Sequence, residues 1–313
     1  MRSLIDRLRV EDYLAGATTL LLFSFVGVRM AVASIRLDEE KYWEFSFIIA
    51  PVALLVLAAS IRYAMGRQVG GVGRTVLEIG GVLRDWFPFL VFLLTYEAFQ
   101  ARVWTTVDAR SFDEALLALD RRLFGETPAI LVQDWLNPAL TDLFTAAYFL
   151  HLVLPPVLAL ALYRRDRALF RRFLLSIILA GALGFVGYLL VPAVGPGTAF
   201  PSLFRRDLSG ALYRPLTGFL DAARAPRDAF PSLHVGISTI VLFFGGKRSR
   251  GWFLVLAPLV ALNWISTITL RYHYVVDIFA GWLVAAVAIL LSRILLGWES
   301  RTRSGEPLAS QAL

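Results

Sequence analysis

Two of the chain's 3 histidines stand where a polar loop meets a long apolar run. They are His234, within Phe230-Pro231-Ser232-Leu233-His234-Val235, and His273, within Arg271-Tyr272-His273-Tyr274-Val275-Val276-Asp277. His273 and Asp277 are four residues apart, so on a helix they share a face. At that spacing a carboxylate can fix an imidazole's tautomer and raise its basicity. Pro231-Ser232 leads into the other apolar run. It supplies a hydroxyl and free backbone N–H groups at the positive end of a helix, a setting that favours phosphate. His234 falls in the first turn there, placed to give a proton to a leaving group. With arginines neutralising the remaining charge, His273 is a candidate nucleophile toward phosphorus. The resulting phosphohistidine would be resolved by water or by another alcohol. Such a site requires neither metal nor cofactor, since arginines can carry the positive charge.

The elements that must position these groups are membrane helices. The 313 residues are 58% hydrophobic and 18% charged, against about 45–50% and about 25% in soluble domains. About eight runs are long and apolar enough to span a bilayer, near 13–35, 42–64, 86–107, 138–163, 170–192, 233–246, 251–270 and 273–296. The expected fold is an all-α polytopic bundle with added interfacial helices, forming a single transmembrane domain over 1–313. No run of short alternating segments points to a barrel. The formal net charge of +7 reflects arginines crowded into short loops, not a nucleic-acid surface. The chain has no cysteine, which excludes disulfides and thiolate metal sites.

Loop charge sets an orientation. Arg62, Arg67, Arg74 and Arg84, then Arg164, Arg165, Arg167, Arg171 and Arg172, then Lys247, Arg248 and Arg250 fall in loops of one side. By the positive-inside rule that side is cytoplasmic, as are both termini. A cytoplasmic tail, 1–12, precedes the first span, and 302–313 is expected to be a disordered tail. His234 and His273 then lie at the opposite, extracytoplasmic face of a bacterial inner membrane. The basic loop 193–230 lies there too, with Arg205, Arg206, Arg214, Arg224 and Arg227. Segment 108–137 reads as interfacial: Leu116, Leu119, Leu123 and Phe124 recur at helical spacing among acids and arginines. Gly125 ends that helix, and Thr127-Pro128 opens a second.

Pro231-Ser232-Leu233-His234-Val235, followed by His273 and Asp277 in a membrane chain, resembles the type 2 phosphatidic acid phosphatase superfamily. Asp228-Ala229-Phe230-Pro231-Ser232-Leu233-His234 is similar to one branch, that of inositol phosphorylceramide synthases and their bacterial relatives; typical phosphatases have Gly where Leu233 stands. The resemblance covers about 190–285 most strongly. It implies a six-helix core, a lipid phosphate or phosphodiester substrate, and residue roles. His273 would be the nucleophile, Asp277 its orienting partner, His234 the general acid, and Ser232 a phosphate ligand. Two departures stand out. The family's Ser-Arg-x-x-x-x-x-His pattern puts its arginine at Thr267, with Arg271 the nearest substitute. Its Lys-x-x-x-x-x-x-Arg-Pro pattern keeps Arg214-Pro215 but has Asp207 at the lysine position. Arg271 and Arg214 are therefore the candidate phosphate-binding cations.

Other ionisable residues read as structural. His151, inside the fourth span and far from both motifs in sequence, is expected to pack between helices. Arg29 and Glu97, each within an apolar span, are expected to be paired, with each other as one option. Gly181, Gly184 and Gly187 mark a close helix contact. Pro192, Gly195, Pro196 and Gly197 either admit a headgroup or only turn the chain. The acceptor can be water, giving a phosphatase, or a lipid hydroxyl, giving a transferase. A transporter would place ionisable groups mid-span in several helices and break a symmetric pair of them, which this pattern lacks. A catalytically inactive headgroup-binding scaffold would keep the arginines without needing His273.

Overall fold

The computed structural model describes residues 9–33, 80–90, 111–223 and 227–304. The chain divides into two compact units, Met1–Val107 and Asp108–Leu313. In the first unit, α1 (Val10–Ala33) covers the first expected span. Its 24 residues rise about 36 Å, enough to cross a hydrocarbon core. Helix α2 (80–90) is tied to its start by Arg84 to Asp12 and by Arg9 to Asp85 at 2.8 Å. The expected span at 42–64, most of that at 86–107, and the Arg29 and Glu97 side chains lie outside the described residues.

The second unit holds α3 (Asp113–Phe124), α4 (Pro128–Leu131), α5 (Pro138–Arg165), α6 (Arg167–Leu190), α7 (Pro196–Ala199), α8 (Tyr213–Ala223), α9 (Leu233–Arg248), α10 (Arg250–Thr269) and α11 (Val275–Ser304). Short 3₁₀ turns at Gln133–Trp135 and Pro201–Leu203 complete it. The only strand-like pairing among the described residues is one bridge, Ala193 with Asp228. Four of these helices are long and apolar enough to cross a membrane: Pro138–Arg165, Arg167–Leu190, Arg250–Thr269 and Val275–Thr302.

Helix α9 packs against α5, α6, α10 and α11. It has 16 residues, a rise of about 24 Å and short of a full span. A central helix is lined on every side by protein, so its length need not match the bilayer. Its seating uses small residues. A Cβ on Gly187 would come within 2.2 Å of Pro231 Cδ, and one on Gly281 within 2.5 Å of the Ser232 carbonyl oxygen. Gly184 meets Leu233 in the same way. The glycine stripe on α6, expected to mark a close helix contact, brings the Pro231-Ser232 turn against the bundle. Below this, Phe173, Ile178, Ile240 and Phe244 are fully buried.

Caps agree with sequence cues. Asn137 accepts from Leu140 N at 3.0 Å to start α5, and Asp166 accepts from Leu169 N at 2.9 Å to start α6. Gly125 closes α3 at φ +81°. Three expectations change. Helix α11 runs through Ser304, past the start of the expected tail. It begins at Val275, so His273 precedes it. On α3 the buried face is Asp113, Leu116, Leu117 and Asp120, while Leu119, Leu123 and Phe124 are exposed. The carboxylates turn inward because each finds several N–H donors, which outweighs burying three more apolar side chains.

Candidate active site

The site is built on three backbone junctions. The first is the end of α10. Tyr272 N donates to Thr267 O at 3.0 Å and Arg271 N to Ile268 O at 2.9 Å, the paired bonds of a Schellman cap. Such a cap needs a left-handed residue, usually Gly; here Arg271 takes it, at φ +67°. His273 N also donates to Thr267 O, at 3.1 Å. Thr267, the position of the family's arginine, therefore serves through its carbonyl. Its hydroxyl donates to Trp264 O at 2.7 Å.

The second junction is the start of α11. Asp277 sits in its first turn and accepts from Tyr274 N at 2.8 Å, the reach-back half of a capping box. The same Oδ2 lies 3.3 Å from His273 Nδ1. So the pair meets through a cap, not as neighbours on one helix face. His273 Nδ1 is also 2.8 Å from the Ala229 carbonyl oxygen. A carbonyl can only accept, so Nδ1 carries the proton and donates. In the neutral ring Nε2 then holds the lone pair. His273 is 2% exposed and Asp277 0%; the buried Asp277 Oδ1 takes no hydrogen bond among the described residues.

The third junction is the start of α9. Ser232 is its N-cap, fully buried, with Oγ accepting from Val235 N at 3.4 Å. Ser232 N donates to Asp277 O at 3.1 Å, which binds the two motifs directly. His234, in the first turn of α9 and half-buried, has Nδ1 3.3 Å from His273 Nε2. With the lone pair on His273 Nε2, His234 Nδ1 is the donor. Two imidazoles 39 residues apart in sequence share one hydrogen bond, and an imidazole so held can attack an electrophile while its neighbour supplies a proton.

His151 is not remote from the motifs. Its ring lies 4.1 Å from that of His234, and its Nδ1 donates to Tyr148 O at 2.6 Å. Tyr148 stacks 4.5 Å from His234 and 4.9 Å from Tyr272. Helix α5 enters well beyond the start of α9, so a residue deep in its sequence comes level with the motif. All three histidines form one cluster. The sequence signal available was only their scarcity.

Arg271 Nη2 donates to Arg206 O at 2.6 Å, and its guanidinium packs 4.1 Å from the Phe204 ring. Burial draws its pKa below the ordinary value, with Tyr213 and Asp207 pulling the other way. Arg214 is exposed near the start of α8. Neither makes a hydrogen bond to the histidines among the described residues. There, no group of three or more His, Asp or Glu is placed to hold a metal ion.

Sequence reasoning missed Asp113 and Asp120. Asp120 accepts from Val275 N and Val276 N, both at 3.1 Å, and from Thr127 Oγ1 at 2.7 Å. It serves the first two free N–H groups of α11. Asp113 accepts from Gly195 N, Val194 N and Tyr274 Oη, each at 2.9 Å, and from Ser111 Oγ. Together they hold the segment that follows His273 and the Val194-Gly195 loop beside it. Gly195 presses against the His273 turn: at φ +88°, its Cβ would lie 2.1 Å from Tyr272 O.

The family model described as the PAP2 superfamily matches residues 114–291. A phosphoinositol dihydroceramide synthase of Bacteroides thetaiotaomicron is 24% identical over 245 residues, covering 67% of this chain and 73% of that protein. No solved structure matches the chain. The three histidines, Ser232 and Asp277 all fall inside the matched stretch, and this chain belongs to the PAP2 superfamily, as a membrane enzyme that hydrolyses or transfers phosphoric esters.

Proposed function

We propose that the chain is a lipid-phosphate phosphotransferase or phosphatase working through a phosphohistidine on His273. The observation that carries this is the His273 Nε2 to His234 Nδ1 contact at 3.3 Å, with Nδ1 of His273 already committed to Ala229 O. The lone pair on Nε2 attacks phosphorus as the bond to the leaving oxygen breaks. His234 gives that oxygen its proton. An acceptor hydroxyl then attacks phosphorus, passes its proton to His234, and frees Nε2. Because 3.3 Å leaves no room for a phosphoryl group between the rings, His234 must swing aside when substrate enters. Ser232 and the start of α9 bind phosphate oxygens, with Arg271 and Arg214 as the supporting cations. No metal is required, and the reaction takes place at the extracytoplasmic face of a bacterial inner membrane.

Transfer to a lipid alcohol is the favoured outcome over hydrolysis. His273, Asp277 and Ser232 are all at most 2% exposed, and a dry site keeps water from competing for the intermediate. The Bacteroides relative, named as a synthase, agrees with this. The test uses purified protein in detergent with phosphatidic acid and phosphatidylinositol, with and without a ceramide-type alcohol, and with chelator present. The expected result is headgroup transfer to the alcohol, unaffected by chelator. An acid-labile, base-stable phosphoprotein should form and vanish in His273→Ala. Turnover that survives in His273→Ala, or that needs a divalent metal, would overturn the mechanism.

A further inference from the structure

Helix α5 brings Tyr148 and His151 to the acid–base histidine from one turn, since residues three apart share a helix face. The His151 ring lies 4.1 Å from that of His234 at 73°, and the Tyr148 ring 4.5 Å from it at 32°. The two α5 rings also meet each other, at 5.2 Å. His234 is therefore bordered by two rings of α5 and, through its Nδ1, by His273.

The hydrogen bonds around His151 commit one of its nitrogens. Nδ1 donates to Tyr148 O at 2.6 Å. A carbonyl only accepts, so Nδ1 carries the proton and the neutral ring keeps its lone pair on Nε2. Tyr148 O does not depend on this bond. Asn263 Nδ2, from α10 and fully buried, donates to it at 3.1 Å and to Ala147 O at 3.1 Å. What the bond settles is the tautomer of His151, as Ala229 O settles that of His273. A purely packing role does not call for this, because an apolar side chain of the same size would fill the place with no polar group to satisfy.

We infer that His151 is a positioning residue for His234: its Nε2 accepts an N–H of the His234 ring once substrate has displaced that ring from His273. This rests on the proposed function and adds a residue to it. The 3.3 Å contact between His234 and His273 must open to admit a phosphoryl group, and a ring released without a new partner would lose its aim. In its acid form His234 carries a proton on each nitrogen. One is donated to His151 Nε2 and stays on His234; the other passes to the leaving oxygen as the bond from that oxygen to phosphorus breaks. His234, now neutral, keeps its N–H on His151 and offers a bare nitrogen to the acceptor hydroxyl. The proton of that hydroxyl restores the imidazolium as its oxygen bonds to phosphorus and the bond from phosphorus to His273 Nε2 breaks. His151 remains neutral throughout.

The test reads the histidines directly, in full-length protein isotopically labelled at the histidine nitrogens. The chain has 3 histidines, so single substitutions assign every imidazole resonance. Orthovanadate stands in for the phosphoryl group. Adding it should shift the bare Nε2 of His151 as it gains an N–H, and the shift should vanish in His234→Ala. Release of the leaving group in the first turnover is then compared on two kinds of substrate. Phosphatidic acid and phosphatidylinositol lose an alkoxide that needs a proton; para-nitrophenyl phosphate and methyl para-nitrophenyl phosphate lose a phenolate that does not. His151→Phe keeps a ring of similar size. It should slow release from the lipids about a hundredfold and from the nitrophenyl esters less than about threefold. His151→Gln, which offers both an acceptor and a donor, should recover about tenfold of that loss. An unmoved His151 resonance beside shifted His273 resonances would overturn the role, and the wild-type spectrum decides this even if His151→Phe does not fold. Equal losses on lipids and nitrophenyl esters, in a His151→Phe protein with the wild-type melting temperature, would overturn it too. A vanadate-dependent His151 shift in a protein that turns over no lipid would sink the proposed reaction and leave the positioning role standing. A phosphohistidine that is lost in His273→Ala, with the His151 resonance unmoved, would do the reverse.

Discussion

Replacing Asp120 with asparagine should disable the site from a helix that touches neither histidine. The carboxylate accepts three hydrogen bonds through two oxygens: Oδ2 from Thr127 Oγ1 and Val275 N, Oδ1 from Val276 N. Asparagine has the same shape but one acceptor. Whichever way the amide turns, its NH₂ faces a backbone N–H of α11. One buried donor is then orphaned, at about 1–3 kcal/mol. The negative charge at the helix start also goes, worth roughly a further 0.3–1 kcal/mol. Taking about 3 kcal/mol in total, opening of the α11 start becomes about a hundredfold more frequent, at about 1.4 kcal/mol per factor of ten. His273 lies two residues before Val275, so its Nε2 loses its fixed aim, and a displacement of about 1 Å can cost about a hundredfold in rate. Hydrogen exchange at Val275 and Val276 should accelerate by about that factor, while amides of the α6 core stay protected. Turnover should fall through kcat more than KM. Protection and kcat both within twofold of wild type would refute the reasoning, because the three bonds would then carry no positional energy.

Other perturbations follow from the same geometry. Gly195→Ala puts a Cβ 2.1 Å from Tyr272 O at φ +88°; left-handed strain of about 1–2 kcal/mol and overpacking of about 1–3 kcal/mol should lower the melting temperature and abolish turnover, and an unchanged melting curve would count against the close approach. Gly187→Ala meets Pro231 Cδ at 2.2 Å, with a ring that cannot rotate away, so thermal unfolding should show a loss of about 1–3 kcal/mol; wild-type stability would mean that α6 is not pressed on the Pro231-Ser232 turn. Arg271→Gly relaxes the left-handed cap and should raise stability by about 1 kcal/mol or less, while lipid KM rises; a fall in melting temperature would show that the guanidinium, not the turn, matters to folding.

The sequence exposed whatever is written in local pattern. Run length gave the spans of α5, α6, α10 and α11, because a bilayer demands about twenty apolar residues whatever the tertiary fold. Asn137, Asp166 and Gly125 announced helix ends, because a cap acts within three or four residues. The glycines of α6 announced a contact, though not its partner. What stayed hidden is set by distance along the chain. His151 meets His234 because α5 passes level with the start of α9, and no spacing rule records that level. Asp113 and Asp120 looked like the wet face of an amphipathic helix. An inward acid and a solvated acid are the same letter. Only the N–H groups waiting at residues 194–195 and 275–276 distinguish them.

Those acids belong to a wider device. Asp142 of α5 accepts from Ala211 N at 2.9 Å, Leu212 N at 2.9 Å and Tyr213 N at 3.1 Å. Asp113, Asp120 and Asp142 each gather backbone N–H groups at least 69 residues away. Loops near a membrane face confront a specific difficulty: their N–H groups must be satisfied where neighbouring strands do not exist and water is scarce. A carboxylate suits this because it only accepts and offers about four lone-pair positions on two atoms. One side chain can therefore hold two or three successive N–H groups without being blocked by a donor of its own. A serine or asparagine cap acts on its own helix and leaves the loop free to tilt. A carboxylate from another helix fixes the loop relative to the bundle. The segment that follows His273 is held this way, by Asp113 at the Tyr274 hydroxyl and by Asp120 at Val275 N and Val276 N. The His273 turn is thus stabilised by carboxylates whose acceptor positions are taken up by backbone N–H and hydroxyl groups.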